Sequence, residues 1–365
     1  MRLPLWLSYL LLGLLLQTCV EPVVPEYDYQ TGFFIVEGTI VDRAGKSSVD
    51  IDRSEFKFGR YQLVPVTDAS VISRDELDRE VTWRSTETPG QYAPDSTFAA
   101  RPGGSYQLVI ATATGELIES TVETVPQVVP ITGLRMSFNQ EAYFSNDRER
   151  FVPAFELLVN FKDPEGEDNF YQYYYQTWSR TSVCATCYGG VYRNGRCMAR
   201  LGVDYYDYPC DRVCWATQTG TQFKLHSDAL SPGANFRGVP AATIDYVNSG
   251  GILAEVQQYA IGRRAHNYYG EVQTLTDGNT GLNAPLPAAL YGNLTDRSDR
   301  ATIVLGYVAA ASLSTERLYW NRDTIPGRPL SIRPPVMYEP IFPSPPTAPC
   351  AAPGFTPTRP TGWPN

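Results

Sequence analysis

Histidine is nearly absent from this 365-residue chain, in which only His226 and His266 occur. His226 lies in a strand-like stretch and His266 on a predicted helix, and neither belongs to an H-E-x-x-H zinc motif. No G-x-S-x-G sequence is present either, so serine-histidine catalysis has no local support. We therefore expect a protein that is not an enzyme and binds no cofactor. The alternative is a hydrolase with dispersed carboxylates, because the geometry of such pairs is set in space.

The chain also lacks any run rich in lysine or arginine, and its formal net charge is −9. Nucleic acids and anionic lipid surfaces are bound through clustered basic side chains. An acidic chain of this kind is therefore not expected to bind either of them through its charge.

Long hydrophobic runs are absent except at the start, where residues 3–16 are almost wholly apolar and follow Arg2. This run is shorter than the about 20 residues that a membrane-spanning helix needs, and it is typical of a secretory signal segment. Its end, Leu16-Gln17-Thr18-Cys19, resembles a bacterial lipobox, so we predict a signal peptide over 1–19 with a lipid anchor on Cys19. An ordinary signal peptide with a chance cysteine is the alternative. Residues 20–30, with two prolines and three acids, are expected to form a tether.

Many tyrosines, glycines and prolines favour strands and turns over helices. Short strand patterns separated by turn signals predict an antiparallel β-sandwich over 31–130. The steps Pro89-Gly90-Gln91-Tyr92 and Gly103-Gly104-Ser105-Tyr106 resemble those of small Ig-like or prealbumin-like domains. The predicted strands of this domain are Phe33–Asp42, Tyr61–Val66, Ala69–Ser73, Val81–Ser85, Tyr106–Thr112 and Leu117–Val125.

A second β-rich domain is predicted over 131–335, followed by a proline-rich strap over 336–365 that is expected to run extended along the surface. One helix is predicted from Ile261 to Leu275, because apolar residues recur there at three- and four-residue spacing, and it should pack on a sheet face. The predicted strands are Phe151–Lys162, Asn169–Trp178, Thr221–Leu225, Leu253–Ala260 and Ala301–Ala311.

Four acidic residues, Asp163, Glu165, Glu167 and Asp168, lie close together between two of these strands. Oxygen ligands packed in one turn suit Ca²⁺, which makes this segment a weak candidate for a metal site. A strand-connecting turn with solvated acids is the favoured interpretation.

Apart from Cys19, the chain contains six cysteines, and an even number in an exported chain favours disulfides. Five lie in an insert over 181–215 that shows no regular strand pattern, so we expect a disulfide-braced loop. The sixth lies in the strap, so at least one bridge should be long-range if all six pair. Zinc binding by Cys-x-x-Cys and a second cysteine pair is the alternative. The connectivity stays open among Cys184, Cys187, Cys197, Cys210, Cys214 and Cys350.

Within this insert, Tyr205, Tyr206, Tyr208 and Trp215 are candidate ligand contacts. Aromatic side chains on a braced loop are a plausible means of recognition. The alternative is that they pack over the disulfides.

Several features in order resemble the domain-of-unknown-function 4249 family of Bacteroidota outer-membrane lipoproteins. They include Phe34–Asp42, Asp163-Pro164-Glu165-Gly166, Cys214-Trp215, Tyr268-Tyr269 and Val304-Leu305-Gly306-Tyr307, and Cys350 with the segment from Arg359 to Trp363. The resemblance implies an N-terminal Ig-like domain, a lipid anchor and genes beside TonB-dependent outer-membrane receptors. It implies no catalytic residues.

We therefore expect a non-catalytic, lipid-anchored protein of the outer membrane, facing outward, that captures or gates a ligand for a TonB-dependent transporter. The alternative is a structural or adhesive surface lipoprotein without a transporter partner.

Overall fold

The structure, a computed structural model, describes residues 31–278, 290–330, 335–341 and 343–364. The predicted lipid anchor at Cys19 and the tether lie outside these residues. As predicted, the fold is mainly β with one helix, α1 (Arg263–Gly278), and a short 3₁₀ turn (Arg322–Thr324). The strands are β1 (Phe34–Val41), β2 (Ser48–Lys57), β3 (Arg60–Pro65), β4 (Ser70–Asp75), β5 (Glu80–Ser85), β6 (Gln91–Ala93), β7 (Ser105–Ala111), β8 (Leu117–Ser120), β9 (Glu123–Thr124), β10 (Ile131–Ser145), β11 (Arg150–Lys162), β12 (Phe170–Tyr188), β13 (Gly190–Arg193), β14 (Arg196–Ala199), β15 (Tyr205–Thr219), β16 (Lys224–Ser227), β17 (Asn235–Asp245), β18 (Gly251–Ile261), β19 (Leu294–Asp296), β20 (Val304–Leu305), β21 (Val308–Asn321) and β22 (Phe355–Thr356).

One long sheet runs through the whole molecule in the order β3, β2, β1, β21, β18, β12, β15 and β22. All neighbours are antiparallel except β1 and β21, which are parallel, and the short β20 pairs with the start of β1. Gly306, between β20 and β21, has φ +100°, and a Cβ there would lie 2.1 Å from the Val36 carbonyl oxygen. A glycine is therefore required where this turn meets β1.

The first core lies between the β1–β2 end of this sheet and a second sheet built around β4, β7 and β8. This is a β-sandwich whose interior is filled by alternate aliphatic side chains, as the strand pattern predicted. Strands from the far end of the chain complete it, because β19 pairs with β8 and contributes Leu294. Val304, Val308 and Ala310 also belong to the first core.

The second core lies on the same face of the long sheet, under a three-stranded sheet of β10, β11 and β17. The predicted alternation is confirmed: Phe155, Leu157, Val159 and Phe161 of β11 all enter this core. Facing them are Tyr171 and Tyr173 of β12, both fully buried, with Tyr175 packed at the margin.

Helix α1 packs on the opposite face of the long sheet. Ala265 and Tyr268 are buried against Phe170, Tyr307 and Ala309, so the predicted packing on a sheet face is confirmed. Of the described residues, no helix is long and apolar enough to cross a membrane.

Segment 181–215 differs from the irregular loop that the sequence suggested. Strand β12 continues to Tyr188 and pairs with β15, and β13 and β14 form a hairpin between them. Register shifts between Thr181, Val183 and Ala185 interrupt the ladder, and such bulges hide the two-residue period from the sequence. Strands β2 and β10 also have no counterpart among the predicted elements.

Candidate functional site

Three disulfides brace one end of the molecule, which consists of residues 181–219 and the strap and is here named the disulfide end. They join Cys184 to Cys210, Cys187 to Cys197 and Cys214 to Cys350. The prediction of disulfides is confirmed, and the zinc alternative fails because all six thiols are used. The sulfur atoms of Cys184, Cys214 and Cys350 lie within 4.8 Å of one another only because two of the disulfides are adjacent.

The strap is attached to the sheet and not merely laid along the surface. The Cys214–Cys350 bridge joins positions 136 residues apart, so the predicted long-range bridge is confirmed. Backbone bonds flank it: the Ala348 N–H donates to the Pro209 carbonyl at 2.9 Å, and Thr217 donates to Gly354 at 2.6 Å. Ala348 and Cys350 are buried as a result.

A buried carboxylate fixes the start of the strap. Glu339 accepts two hydrogen bonds from the Arg193 guanidinium, at 2.7 and 2.8 Å, and one from the Tyr208 hydroxyl at 2.7 Å. The paired Arg193 guanidinium, helped by Tyr208, holds the pKa of the Glu339 carboxyl below its usual value. Strands β13 and β15 and the strap, more than 130 residues later in the chain, therefore meet at the Glu339 carboxylate.

The four aromatic candidates occupy different environments. Tyr208 is fully buried and Tyr206 packs against the cysteines, whereas the Tyr205 hydroxyl donates to the Pro335 carbonyl at 2.6 Å. Around Tyr205 lie exposed apolar side chains, and this surface is here named the aromatic patch. Its members are Tyr188, Tyr205, Val336, Met337 and Tyr338.

Trp215, the fourth candidate, lines a cleft where β12, β15 and the strap meet, here named the strap cleft. Its volume is about 210 Å³. Trp215 is 7% exposed, and its indole N–H has no acceptor among the described residues. The cleft is lined by Arg180, Val213, Trp215, Arg359, Trp363 and Pro364.

The polar chemistry of this cleft is one-sided. The Arg180 guanidinium forms no ion pair or hydrogen bond within the part of the chain that the structure describes, and the Arg359 guanidinium donates only to the Trp363 carbonyl, at 2.9 Å. Two guanidinium groups and an indole N–H are donors, and no acidic side chain lines the cleft. An acceptor-rich anion is therefore the complement of this surface.

Trp363 forms the outer wall because the end of the strap is held from below. The Arg317 guanidinium donates to the Thr361 carbonyl at 2.9 Å, and its carbon lies 4.9 Å from the centre of the Trp178 ring. The Trp363 ring packs edge-on against Tyr319, with 5.1 Å between ring centres, and lies 6.3 Å from Trp215. A strap held at Cys350 and again at Thr361 therefore places this wall.

A larger cleft of about 420 Å³ lies beside the 3₁₀ turn and is lined by residues 325–328 and Gln140. The Gln140 side chain is already satisfied, because it accepts from the Arg328 N–H at 3.0 Å and donates to the Arg328 carbonyl, and the Arg328 guanidinium is the one charged group among the lining residues. This cleft offers a ligand fewer free polar groups than the strap cleft does.

The acidic turn after β11 does not bring its four carboxylates together. Asp163 is buried, where its carboxylate accepts from the Tyr171 hydroxyl and, at 2.9 Å, from the Gly233 N–H. Asp168 pairs with Arg263, and the two glutamates are exposed. Among the described residues these acids form no group that could hold one metal ion.

Asp163 also faces Asp228, which is equally buried. Burial and the contact with Asp163 raise the pKa of Asp228. The two histidines lie where the sequence placed them, His226 on β16 and His266 on α1, and burial lowers the pKa of both. Because both carboxylates are about 1% exposed, this pair faces the protein interior and not an open acidic cleft.

Sequence reasoning found Trp215 but missed Arg180, Arg359 and Trp363 as parts of a site. The available signal was the closing segment Arg359-Pro360-Thr361-Gly362-Trp363, whose arginine and tryptophan follow a cysteine that reaches back to Cys214. Nothing in the sequence shows which strand that segment covers.

Comparison with curated proteins finds none that is significantly similar. A family model described as a domain of unknown function (DUF4249) matches residues 20–317, which include β1 to the middle of β21 but not the strap. This match covers most of the chain, and the chain therefore belongs to the DUF4249 family.

Proposed function

We propose that this protein is a lipid-anchored protein of the outer membrane of a Bacteroidota cell that captures or gates a ligand for a TonB-dependent transporter, without catalysis. The observation that carries the proposal is the strap cleft, whose unpaired donors and tryptophan rings are those of a small binding site. The strap cleft and the aromatic patch lie at opposite ends of the β12–β15 ladder, the cleft at Arg180 and Trp215 and the patch at Tyr188 and Tyr205, so ligand and partner would occupy separate surfaces.

The aromatic patch supports a protein partner. Tyr188 is 75% exposed, and Val336, Met337 and Tyr338 are each about half exposed on a neighbouring segment. Contiguous exposed apolar side chains commonly mark contact surfaces. The disulfides and Glu339 hold these residues in place, so that binding need not order them first.

Catalysis has less support. The facing carboxylates Asp163 and Asp228 are buried and hydrogen-bonded, so a substrate would have no path to them without local unfolding. A general acid must come within hydrogen-bonding reach of the proton it transfers.

Co-purification tests the transporter partner. The full chain would be tagged at its C-terminus, outer membranes solubilised gently, and the associated proteins identified. A stoichiometric TonB-dependent barrel is the expected result. Tyr188→Ser should weaken its recovery, whereas Leu230→Ser, at a still more exposed apolar residue outside the patch, is the control. Recovery of the protein alone in several detergents would contradict the proposal and favour the structural or adhesive role.

The lipid anchor has its own test. Cys19→Ala should move the protein from the membrane fraction to the soluble fraction, because the acyl chains would then be absent. Retention of the variant in the membrane would contradict the anchor.

A further inference from the structure

We infer that the strap cleft binds the carboxylate group of a ligand about one ring in size. This deepens the proposed function, on which it rests for its biological role, by naming the ligand's chemistry. The charge of the cleft, its aromatic rings and its size all point to such a ligand.

The Arg180 guanidinium brings an exposed positive charge to the cleft. In the same end of the molecule, the charge of Arg212 is paired with Asp211 at 2.9 Å. Arg180 has no such partner among the described residues, and Arg359 has only a carbonyl. Planar guanidinium groups bind carboxylates in a bidentate geometry. Two of them lining one small cleft in an acidic protein therefore favour a carboxylate.

Two tryptophans, Trp215 and Trp363, supply the aromatic surface of the cleft. Both rings line the cleft, and their planes are inclined by 76°. A flat or apolar ring face packs well against indole. The indole N–H of Trp215 is also buried without an acceptor, and such a donor is costly unless an oxygen reaches it. A ring that carries oxygen substituents would supply both contacts.

The volume of the strap cleft, about 210 Å³, limits the size of its ligand. Pockets for drug-sized ligands are usually about 300–1,000 Å³. This cleft therefore suits a single ring or the end group of a longer chain. An acidic sugar and an aromatic carboxylate both meet the three requirements, and they share the carboxylate that the arginines would bind.

Titration calorimetry on the purified mature chain, with its disulfides intact, tests the inference. The probes are D-galacturonate, its neutral counterpart D-galactose, and benzoate. We expect D-galacturonate or benzoate to bind with a dissociation constant of about 1 mM or tighter, given typical binding free energies per ligand atom. D-Galactose should bind at least tenfold more weakly. Which of the two carboxylates binds better distinguishes a sugar ring from an aromatic ring.

Variants assign the binding to this cleft. Arg180→Gln should weaken carboxylate binding at least tenfold and abolish the preference over D-galactose. Arg212→Gln is the matched control, because this arginine is also exposed but is paired with Asp211 and does not line the cleft. Trp363→Ala, at the end of the strap and outside the two main cores, should also weaken binding and should leave the melting temperature nearly unchanged.

Equal affinity for D-galacturonate and D-galactose, or unchanged affinity in Arg180→Gln, would overturn the inference. So would a failure of both carboxylates to bind. These outcomes are separate from the co-purification result. If a transporter is recovered but no carboxylate binds, the proposed function stands with another ligand and the carboxylate site is wrong. If a carboxylate binds but no transporter is recovered, the carboxylate site stands and the proposed function is wrong.

Discussion

The first core and the disulfide end are both built from β-strands, yet different side chains fill most of their interiors. The first core contains fully buried aliphatic residues such as Val36, Ile51 and Leu108, and no disulfide. The disulfide end buries cysteines, Tyr208 and the charged Glu339. A two-sheet sandwich can shield enough apolar surface to be stable, whereas two strands and a hairpin cannot. In the disulfide end, the three disulfides and the Glu339–Arg193 ion pair supply the stability that apolar burial gives to the first core.

The long-range disulfide should show the largest difference between the two regions. In the chain-entropy model, a bridge that closes 136 residues stabilises by about 5 kcal/mol, against about 3 kcal/mol for one that closes 10. We expect the double variant Cys214→Ser/Cys350→Ser to lose more stability than Cys187→Ser/Cys197→Ser in urea unfolding, and to release the strap to protease. Equal losses in the two double variants would contradict the loop-closure explanation.

In the first core, the expected sensitivity is to lost volume and not to reduction. Leu108→Ala should lower the free energy of unfolding by about 3 kcal/mol, because the methyl groups leave a cavity in a packed sandwich. Leu63→Ala, at a half-exposed position on β3, should cost less than about 0.5 kcal/mol. A loss at Leu108 that grows markedly when a reductant is added would show that the stability of the first core depends on the disulfides.

A smaller effect is expected from Glu339, with a clear pH sign. Because its pKa is lowered in the folded protein, the stability it contributes is present above its ordinary pKa and is lost as the pH falls through the folded value. Glu339→Gln should cost about 1 kcal/mol at pH 7, since Arg193 is partly in water. The difference from the unaltered protein should shrink in urea titrations as the pH falls below the ordinary pKa of a glutamate. A pH-independent difference would show that shape, and not charge, holds the strap.

The first region should show the opposite sign at Glu37. This residue is exposed and lies directly opposite Asp50 in the β1–β2 ladder, and partial desolvation of its carboxyl together with repulsion by Asp50 and Asp52 raises its pKa. A raised pKa gives stability that is present below the ordinary value and is lost as the pH rises through the folded value. Glu37→Gln should therefore stabilise the protein at pH 7, by about 0.5 kcal/mol, and have no effect near pH 4. Thermal melts at the two pH values measure this difference. Destabilisation at pH 7 would refute it.

The second core and the disulfide end also differed in how far the sequence predicted them. Alternation marked β11 and the start of β12, because Phe155, Leu157, Tyr171 and Tyr173 point alternately into a core. The same period was lost beyond Thr181, where the inward positions are cysteines and small residues and bulges shift the register. A two-residue hydrophobic period marks a strand only where its inward side chains are apolar. It therefore does not reveal strands whose buried side chains are disulfide-bonded cysteines.

The candidate site was predictable only in part, for a different reason. Trp215 was found because it lies beside a cysteine in an aromatic segment, but its partners are distant in the chain. Arg180 reaches it through the β12–β15 ladder, and Trp363 through a strap joined at Cys350. The position of each is decided by pairings that a single sequence does not specify.

The parallel pair of β1 and β21 also affects the order in which the chain can fold. The contacts at this junction join residues about 270 positions apart, such as Arg43 and Leu313. Synthesis proceeds from the N-terminus, so β1 is complete long before its neighbour exists. Until residues 304–311 arrive, β1 has an open edge, and open edges pair readily with the wrong strand. Closing so distant a contact is also slow. The sandwich around β1 is therefore synthesised first but can be completed only after β21 has been synthesised.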